Sequence, residues 1–485
     1  MRKYLPYFLL LPLLFVNVSN SHDWGDDFAQ YLIQTKNILE HKAQSDNGLV
    51  FDPAVGRFAV DAYPVGFPLL LLPVVAMTGI AIKPLLILES VFLIALCSLC
   101  VLYFRKEFAE WLAWGMVLIL AYHPFTIDLK AQILSEIPFT FFLMAVIYQW
   151  ESGIHSRKNL LITGLLLGFL ASIRITGVLV AIAFLLQSVF QKKDTVTNEN
   201  KNYSASRSGI LILLASGIFF LLNKLLLPVN MSSFFGFYNA AANEYGMHPL
   251  QNLMYYSDQL SMLFILPLPF YEVWKFIVLI LVCTGWILTF RKKRSLAEWF
   301  SLIYIMTLLF YPYTSGGFRF LFPVFPFLVY YFFSALKYFL SKTKIIRTSV
   351  LIPVICIVLL IFPVLGIADK SMNSSSEISG PQMQQSLELF SYLHEFTDSN
   401  SIVVFPRARA MVLYGGRRTT YRLNHLTAEE NDQLFEKLGV NYLILPLNPR
   451  KYGLYDPALN TYYSVNYNKY ALAWKNDAFE VYRRN

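Results

Sequence analysis

The chain has 485 residues, of which 56% are hydrophobic and 15% are charged. An ordinary soluble domain is about one quarter charged, so this composition excludes a soluble globular protein and predicts an integral membrane protein in a lipid bilayer. The net charge of +9 does not indicate nucleic-acid binding, because the basic residues lie mostly in short clusters between apolar runs, as cytoplasmic anchors do.

The first hydrophilic stretch of the chain is acidic. Residues 1–20 fit a signal peptide or a first span, and we expect a retained span because the rest of the chain is polytopic. The following "SHDWGDDFAQYLIQTKNIL" (21–39) puts three aspartates within five positions. Its apolar residues have helical spacing, which predicts an amphipathic helix in the outer membrane interface. The polar face of that helix comprises Gln30, Gln34, Asn37 and Glu40. Helix capping and the helix dipole alone would explain acids at its start.

The distribution of basic residues predicts the topology. A Pro-punctuated segment, "DAYPVGFPLLLLPVVA" (61–76), leads into a short apolar run at 66–80. If that run stays in the outer interface, and if 159–190 is a hairpin of two short spans turning near Arg174, every basic cluster falls on one side. We therefore predict an all-α polytopic bundle of about eleven transmembrane helices with a cytoplasmic N-terminus. Besides the hairpin, the spans begin near residues 4, 84, 110, 136, 209, 272, 297, 319 and 348.

The predicted topology leaves two large external loops, 22–83 and 228–271, and an external tail from about residue 367. Lys130, Arg174 and Arg319 lie in external turns, where the charge bias disfavours basic residues, so each is a functional candidate or a snorkelling anchor. Glu136 begins a span and is either a site residue or a helix cap. The second loop is rich in aromatic residues, which either help to cover a bound acceptor substrate or form an aromatic belt at the membrane interface.

The tail alternates helix-like and strand-like segments after a polar linker, "DKSMNSSSEISGP". This alternation predicts a small α/β domain, residues 367–485, on the outer face, next to a transmembrane catalytic domain of residues 1–366 that includes the first loop. The helical segments are "SLELFSYLHEF" and "TAEENDQLFEKL", and the strands are "SIVVF", "NYLILP" and "FEVYR". The tail domain either selects the acceptor or stabilises the outer face.

The cysteines indicate neither a disulfide framework nor a metal site. All four lie in apolar runs, where a thiol acts as a small hydrophobe, and no histidine or second pair accompanies Cys97 and Cys100. We expect no metal and no cofactor.

The external acids are placed where a carboxylate could act as a general base on a substrate. A carboxylate at the membrane surface can deprotonate a hydroxyl or an amine while a lipid-linked substrate approaches from the bilayer. Such a reaction needs a cation for the leaving phosphate, and the planar guanidinium of an external arginine binds phosphate in a bidentate manner.

Several motifs, in order along residues 1–366, resemble the GT-C integral-membrane glycosyltransferases of the protein O-mannosyltransferase and aminoarabinose-transferase type. "WGDDFAQYLIQTKNI" with "YPVGFPLLLLP" is similar to the first loop of that family. "RKEFAEWLAW" resembles its basic cytoplasmic turn. "HPFTIDLKAQILSEIPFTFFL" resembles its next external loop, "GLLLGFLASIRITGVLV" its Arg-x-Thr-Gly hairpin, and "GGFRFLFPVFPFLVYYF" its late Gly-Gly-x-Arg entry into a span.

The resemblance implies an inverting glycosyltransferase of the plasma (inner) membrane. It would move a hexosyl or pentosyl group from a polyprenyl-phosphate-linked donor to a protein, lipid or glycan acceptor on the outer face. Asp26 matches the general base and Asp27 its substrate-positioning neighbour, while Arg319 and Arg174 match positions suited to the donor phosphate. Further substrate-binding candidates are Tyr31, Tyr63, Glu136 and Lys130.

One departure concerns a cation. The aminoarabinose-transferase branch has lysine before two prolines, whereas this chain has Tyr63 there, and Val65 replaces the second proline. A lysine contact to the donor phosphate therefore cannot be transferred from the resemblance. Arg57, Lys130 and Arg174 are the alternative cations.

Other kinds of membrane protein compete with this interpretation. A transporter or flippase usually has two halves with corresponding broken helices, and no such halves are evident. A lipid-linked glycan polymerase or ligase shares the location and donor class but lacks this first loop. A catalytically silent relative is the third alternative.

Overall fold

A computed structural model describes residues 5–52, 55, 60–152, 156–190, 198–226, 242, 246–264, 271–312, 316–342, 348–373 and 378–485. The chain forms two compact units. The helical unit comprises Met1–Val18, Leu86–Asn223 and Ala240–Ser375. The sheet unit comprises Ser19–Leu85, Lys224–Asn239 and Ser376–Asn485. The first loop thus belongs to the same unit as the tail, whereas the predicted division into 1–366 and 367–485 is functional and stays a prediction.

Apolar helices make up most of the helical unit. A 3₁₀ helix covers Leu5–Leu14. The α-helices that follow are α3 (Ile82–Phe104, whose first turn belongs to the sheet unit), α4 (Glu110–Ala121), α5 (Pro124–Lys130), α6 (Glu136–Glu151), α7 (Arg157–Ile173), α8 (Val178–Phe190), α9 (Asn198–Leu226), α10 (Pro249–Ser261), α11 (Tyr271–Lys293), α12 (Leu296–Leu309), α13 (Gly317–Leu321), α14 (Phe325–Lys342) and α15 (Thr348–Asn373).

Four helical segments of the described chain are long and apolar enough to cross a bilayer, and these are Ile82–Phe104, Glu272–Lys293, Gly317–Lys342 and Leu351–Ala368. The pair α4 and α5, bent by 59°, is a fifth candidate. The chain is therefore a membrane protein with a largely helical fold. The count of eleven spans depends on shorter helices as well, and it stays a prediction.

The predicted turn near Arg174 is confirmed. Helix α7 ends at Ile173, Arg174 has an extended backbone (φ −144°, ψ 137°), and a 3₁₀ turn at Ile175–Gly177 leads into α8. A Cβ at Gly177 would lie 2.7 Å from the Ala171 Cα, so glycine allows the backbone to pass this close to the end of α7. The turn leaves Arg174 outside both helices, where its side chain can reach a neighbouring helix.

Helices α11 and α14 pack closely at Gly285. A Cβ at this position would lie 1.8 Å from the Tyr331 carbonyl oxygen, which is backbone and cannot turn away. We expect Gly285→Ala to force the helices apart and to lower the free energy of unfolding by about 1–3 kcal/mol, as overpacking does. Thermal unfolding in detergent measures the effect.

Gly217→Ala in α9 is the matched control, because the described structure places nothing within 4 Å of the added methyl group. Alanine there should leave the midpoint unchanged or raise it slightly, since glycine costs a helix interior about 1 kcal/mol. Equal midpoints for the two variants would contradict the close packing at Gly285.

The sheet unit combines the first loop with an α/β domain. Its five strands are β1 (Ile402–Val404), β2 (Arg418–Thr420), β3 (Val440–Pro446), β4 (Tyr470–Lys475) and β5 (Phe479–Arg484). They have the order β2-β1-β3-β5-β4. Strand β1 is parallel to β2 and β3, while β5 is antiparallel to β3 and β4. The helices of the unit are α1 (Asp26–Leu39), α2 (Gly66–Thr78), α16 (Gln384–Phe396), α17 (Ala408–Gly415), α18 (Ala428–Leu438) and α19 (Pro457–Asn466).

The three predicted strands and both predicted tail helices are present, but β2, β4, α17 and α19 were not predicted. Strand β2 has only three residues, too few for an alternating pattern to be recognised. Helix α15 continues to Asn373, so the first five residues of the predicted linker are helical. Residues 374–377 of that linker lie outside the described residues.

The first loop is joined to the sheet by backbone pairing. Leu49 forms a parallel bridge with Thr419 of β2. The Val50 N–H donates to the Thr419 carbonyl at 2.9 Å, and the Thr419 N–H donates to the Gly48 carbonyl at 3.0 Å. A short segment of the loop therefore extends the β2 edge, and it holds the loop against the tail domain.

The predicted amphipathic character of α1 is wrong for its polar face. Gln30, Gln34 and Asn37 are buried rather than facing water. The Gln34 amide donates to the Tyr63 carbonyl at 2.9 Å and accepts from the Tyr63 N–H at 2.8 Å. These side chains satisfy the backbone of the segment that returns past α1, because a buried loop backbone must find partners. Helix α2 is short and packs against α1.

Candidate active site

The acids at the start of α1 do not cap their own helix. Gly25 occupies the N-cap position, and no side chain makes a capping hydrogen bond there. Trp24, just before it, packs among aromatic residues of the tail, with its ring centroid 5.1 Å from that of Phe405. Capping alone therefore does not account for Asp26 and Asp27, whose carboxylates have partners elsewhere in the sheet unit.

Asp26 is held by two residues of the tail. Its Oδ1 accepts the Arg409 backbone N–H at 3.2 Å, and its Oδ2 accepts a short hydrogen bond from the Tyr421 hydroxyl. Arg409 is the second residue of α17, so the Asp26 carboxylate lies at the N-terminus of that helix, where the dipole favours an anion. Asp26 thereby caps α17 and not α1.

The sheet topology explains why these two residues meet. Helix α17 follows β1 after a short connection, and Tyr421 comes directly after β2. Because β1 and β2 are parallel neighbours, their carboxyl ends lie at the same edge. That edge is where open α/β sheets usually bind ligands.

Asp27 is connected to the same arginine through a tyrosine. The Tyr63 hydroxyl donates to Asp27 Oδ1 at 2.6 Å and accepts from Arg409 Nη1 at 3.0 Å. The guanidinium also lies over the Tyr63 ring, 5.1 Å from its centroid. The Tyr31 ring packs 5.0 Å from the Tyr63 ring. The structure thus brings together four of the predicted residues in the sheet unit, Asp26, Asp27, Tyr31 and Tyr63.

Burial and neighbouring charges shift the pKa of Asp26 in opposite directions. Burial raises the pKa of its carboxyl, while Arg409, the Tyr421 hydrogen bond and Arg407 hold that pKa down. Burial and the adjacent carboxylates raise the pKa values of Tyr63 and Tyr421 well above the ordinary tyrosine value. Both phenols therefore remain protonated donors at neutral pH, and Asp26 loses its proton at a higher pH than an exposed aspartate does.

Three further predicted residues meet in the helical unit. Glu136 Oε1 accepts from Arg174 Nη1 at 2.7 Å and makes a short contact with Arg319 Nε. The Glu136 side chain is fully buried, whereas 19% of the Arg174 side chain and 31% of the Arg319 side chain are exposed. One buried carboxylate thus holds two guanidinium groups side by side.

The turn that contains Arg319 is fixed by two tyrosines. The Tyr255 hydroxyl, from the described part of the second loop, accepts from the Gly317 N–H at 2.9 Å. The Tyr304 hydroxyl donates to the Phe320 carbonyl at 3.0 Å. Most of the aromatic stretch "FFGFYNAAANEYG" (234–246) lies outside the described residues. Tyr255 nevertheless connects the second loop to the arginine turn.

Lys130 lies elsewhere in the helical unit and is completely buried. Its ammonium donates to the Val16 carbonyl and to the Ser90 hydroxyl at 3.3 Å. A substrate would reach this group only after a movement of the helices, and its substrate-binding role stays a prediction. Arg57, another alternative cation, lies outside the described residues.

The described residues include no group of three or more His, Cys, Asp or Glu side chains placed as metal ligands. Asp23, the third acid of the opening stretch, pairs with His22 Nδ1 at 2.8 Å and has no contact with the Asp26 group among the bonds described. The two acids that form a site are thus the adjacent pair.

Sequence reasoning missed Arg409 and Tyr421. Neither residue belongs to a motif of the first loop, and they lie 383 and 395 positions after Asp26. A usable signal was present nonetheless, since the basic stretch "FPRARA" (405–410) follows a predicted buried strand, and such a position lies at the ligand-binding edge of a parallel sheet.

No protein-family model and no curated protein sequence matches the chain. Solved structures do match it. ArnT from Cupriavidus metallidurans bound to undecaprenyl phosphate aligns with a TM-score of 0.58 and 10% identity over 99% of this chain and 98% of that one. The archaeal oligosaccharyltransferase AglB from Archaeoglobus fulgidus, in complex with an inhibitory peptide and a dolichol-phosphate, aligns with a TM-score of 0.56 and 12% identity over 93% of this chain and 70% of that one. The predicted GT-C fold is confirmed, and at these identities the likeness concerns the fold alone.

Proposed function

We propose that the chain is a glycosyltransferase of the plasma membrane that moves a sugar from a polyprenyl-phosphate-linked donor to an acceptor on the outer face. The observation that carries the proposal is the pair of adjacent carboxylates at the start of α1, held by Arg409, Tyr421 and Tyr63 in a chain with the GT-C fold. In this proposal the N-terminus is cytoplasmic, about eleven helices span the membrane, and residues 367–485 are external.

Asp26 acts as the general base. Its carboxylate takes the proton of an acceptor hydroxyl or amine, and the acceptor atom attacks the anomeric carbon of the donor sugar. The bond between that carbon and the phosphate oxygen breaks as the new bond forms, so the configuration inverts and polyprenyl phosphate leaves with the electron pair. Asp27 positions the substrate, and Tyr63, which donates to it, fixes its orientation.

Arg319 and Arg174 receive the donor phosphate. The phosphate gains negative charge as the sugar leaves, and a cation that is already in place stabilises that charge. Glu136, which is fully buried, holds both guanidinium groups in position. The guanidinium groups and the partial exposure of both arginines suit a phosphate that arrives from the bilayer.

Tyr31 and Lys130 complete the proposed substrate-binding residues. Tyr31 packs against Tyr63 and would shape the acceptor side, and Lys130 would contact substrate only in a rearranged state. The known ligands of the two structural neighbours, undecaprenyl phosphate and dolichol-phosphate, support the donor class. The acceptor peptide tethered to the Archaeoglobus fulgidus oligosaccharyltransferase in another solved structure makes a protein one acceptor to test, beside lipid and glycan. The proposal includes no cofactor.

The test uses membranes that contain the full chain and a panel of polyprenyl-phosphate sugars, hexosyl and aminopentosyl. Mass spectrometry follows the intact donor, free polyprenyl phosphate and a glycosylated acceptor. We expect free polyprenyl phosphate to appear together with product, and only when the chain is present. A donor that becomes exposed on the other leaflet but stays intact would support a flippase and contradict the transferase.

A further inference from the structure

We propose that the tail domain completes the catalytic site, with Arg409 and Tyr421 as positioning residues for the carboxylate pair of the first loop. This inference rests on the proposed function and assigns residues that the motifs of the first loop do not contain. It adds a third role for residues 367–485, positioning the base, to the two that the sequence left open, which are selecting the acceptor and stabilising the outer face.

Both oxygens of Asp26 are fixed from the tail. Oδ1 accepts the Arg409 N–H at 3.2 Å, and Oδ2 accepts the Tyr421 hydroxyl. Each carboxylate oxygen can accept two hydrogen bonds, so one acceptor position per oxygen is left for an incoming hydroxyl or amine. The tail therefore sets the direction of the base without using up its capacity to take a proton.

The Arg409 side chain interacts with both Asp26 and Asp27. It is 4% exposed, its Nη1 donates to Tyr63, which in turn donates to Asp27, and its Nη2 donates to the Val60 carbonyl at 2.8 Å. The guanidinium thus reaches Asp27 through Tyr63, and its positive charge also acts on Asp26. Without that charge, two adjacent acids in a half-buried site would disfavour each other's ionised form.

Arg417 shows what a purely structural arginine looks like in the same unit. It is 6% exposed, and its guanidinium donates to the Leu393, His394 and Thr397 carbonyls and to the Thr397 hydroxyl. None of these partners is an acid. Burial is thus shared by Arg409 and Arg417, whereas a connection to the carboxylate pair distinguishes Arg409.

The test is the pH dependence of kcat/KM for sugar transfer. A hydrogen bond donated to a carboxylate stabilises its ionised form, so its removal raises the pKa. Tyr421→Phe should therefore move the acidic limb of the profile to higher pH by about one unit, with little loss above that limb. The charged and titratable groups facing Asp26 are Arg407, Arg409 and Tyr421, with Asp27 and Tyr63 connected through Arg409.

Arg409→Gln should move the acidic limb further to higher pH and lower the plateau of kcat/KM. Arg409→Lys should show a smaller shift than Arg409→Gln, because the positive charge is kept. Arg417→Gln is the matched control. It should lower the thermal unfolding midpoint and leave the acidic limb in place.

An unchanged limb in Tyr421→Phe, or an equal shift in Arg417→Gln, overturns the positioning role. Tyr421→Phe removes one oxygen atom only, so the test does not depend on the folding of Arg409→Gln. Asp26→Asn separates the two proposals. If it is inactive while Tyr421→Phe leaves the limb unmoved, only the positioning role fails; if it retains full transfer, the base assignment itself fails.

Discussion

Asp26→Asn is expected to lower the rate of sugar transfer by about 10²- to 10⁴-fold, the usual contribution of a general base. Asparagine has the same shape, and its amide oxygen can still accept a hydrogen bond from the tail. The fold should therefore survive while the proton acceptor is lost. The measurement is transfer at saturating donor and acceptor, with the amount of folded protein determined by size-exclusion chromatography.

Asp23→Asn is the matched control, since Asp23 lies three positions earlier in the same loop and pairs with His22. That variant should transfer within about twofold of the wild-type rate, because surface substitutions away from a site rarely matter. If the Asp26 and Asp23 variants behave alike, the base lies elsewhere, and the hydrogen bonds to Asp26 serve only to tie the first loop to the tail.

The second large effect is expected at Arg319. Arg319→Gln removes one of the two guanidinium groups held by Glu136, and we expect kcat/KM for the donor to fall about 10²-fold, the order seen when one preorganised donor to a developing anion is removed. Arg174 Nη1, which lies 2.7 Å from Glu136 Oε1, is untouched by this change, so we expect the buried carboxylate to keep a partner. Separate donor and acceptor saturation curves measure the effect, which should appear with the donor.

Arg319→Lys should recover little of the loss, because a lysine is a point charge without the planar fork of a guanidinium. The control is Arg105→Gln, which removes an arginine that is 41% exposed and pairs loosely with Glu110 at 3.6 Å. Its donor kinetics should match the wild type. Unchanged donor kinetics in Arg319→Gln would remove this residue from the phosphate site.

Local patterns of the sequence are sufficient to predict most helices and turns near the site. Helical spacing predicted α1, the proline-led segment predicted the short helix α2, and Arg174 was expected at a turn that the structure places between α7 and α8. Periodicity and turn residues act over a few positions, so a single sequence carries that information. The order of the motifs predicted the GT-C fold, which the solved structures confirm.

Contacts between distant parts of the chain could not be predicted in the same way. A polar helix face has the same sequence whether it meets water or a loop backbone, so Gln30 and Gln34 gave no sign of their burial. The hydrogen bond from Tyr421 to Asp26 joins residues 395 positions apart. Only the parallel pairing of β1 and β2 brings Arg409 and Tyr421 to one edge, and that pairing includes a strand too short to recognise.

The most direct test of the proposed mechanism is the stoichiometry of the reaction in liposomes containing the purified full chain and a labelled polyprenyl-phosphate sugar. We predict that the wild type releases polyprenyl phosphate and glycosylated acceptor in equal amounts, and that Asp26→Asn under the same conditions releases neither at more than about one hundredth of that rate. An intact donor after incubation of the wild type with protein, lipid and glycan acceptors, or equal release by the two proteins, would contradict a transferase that uses Asp26 as its base.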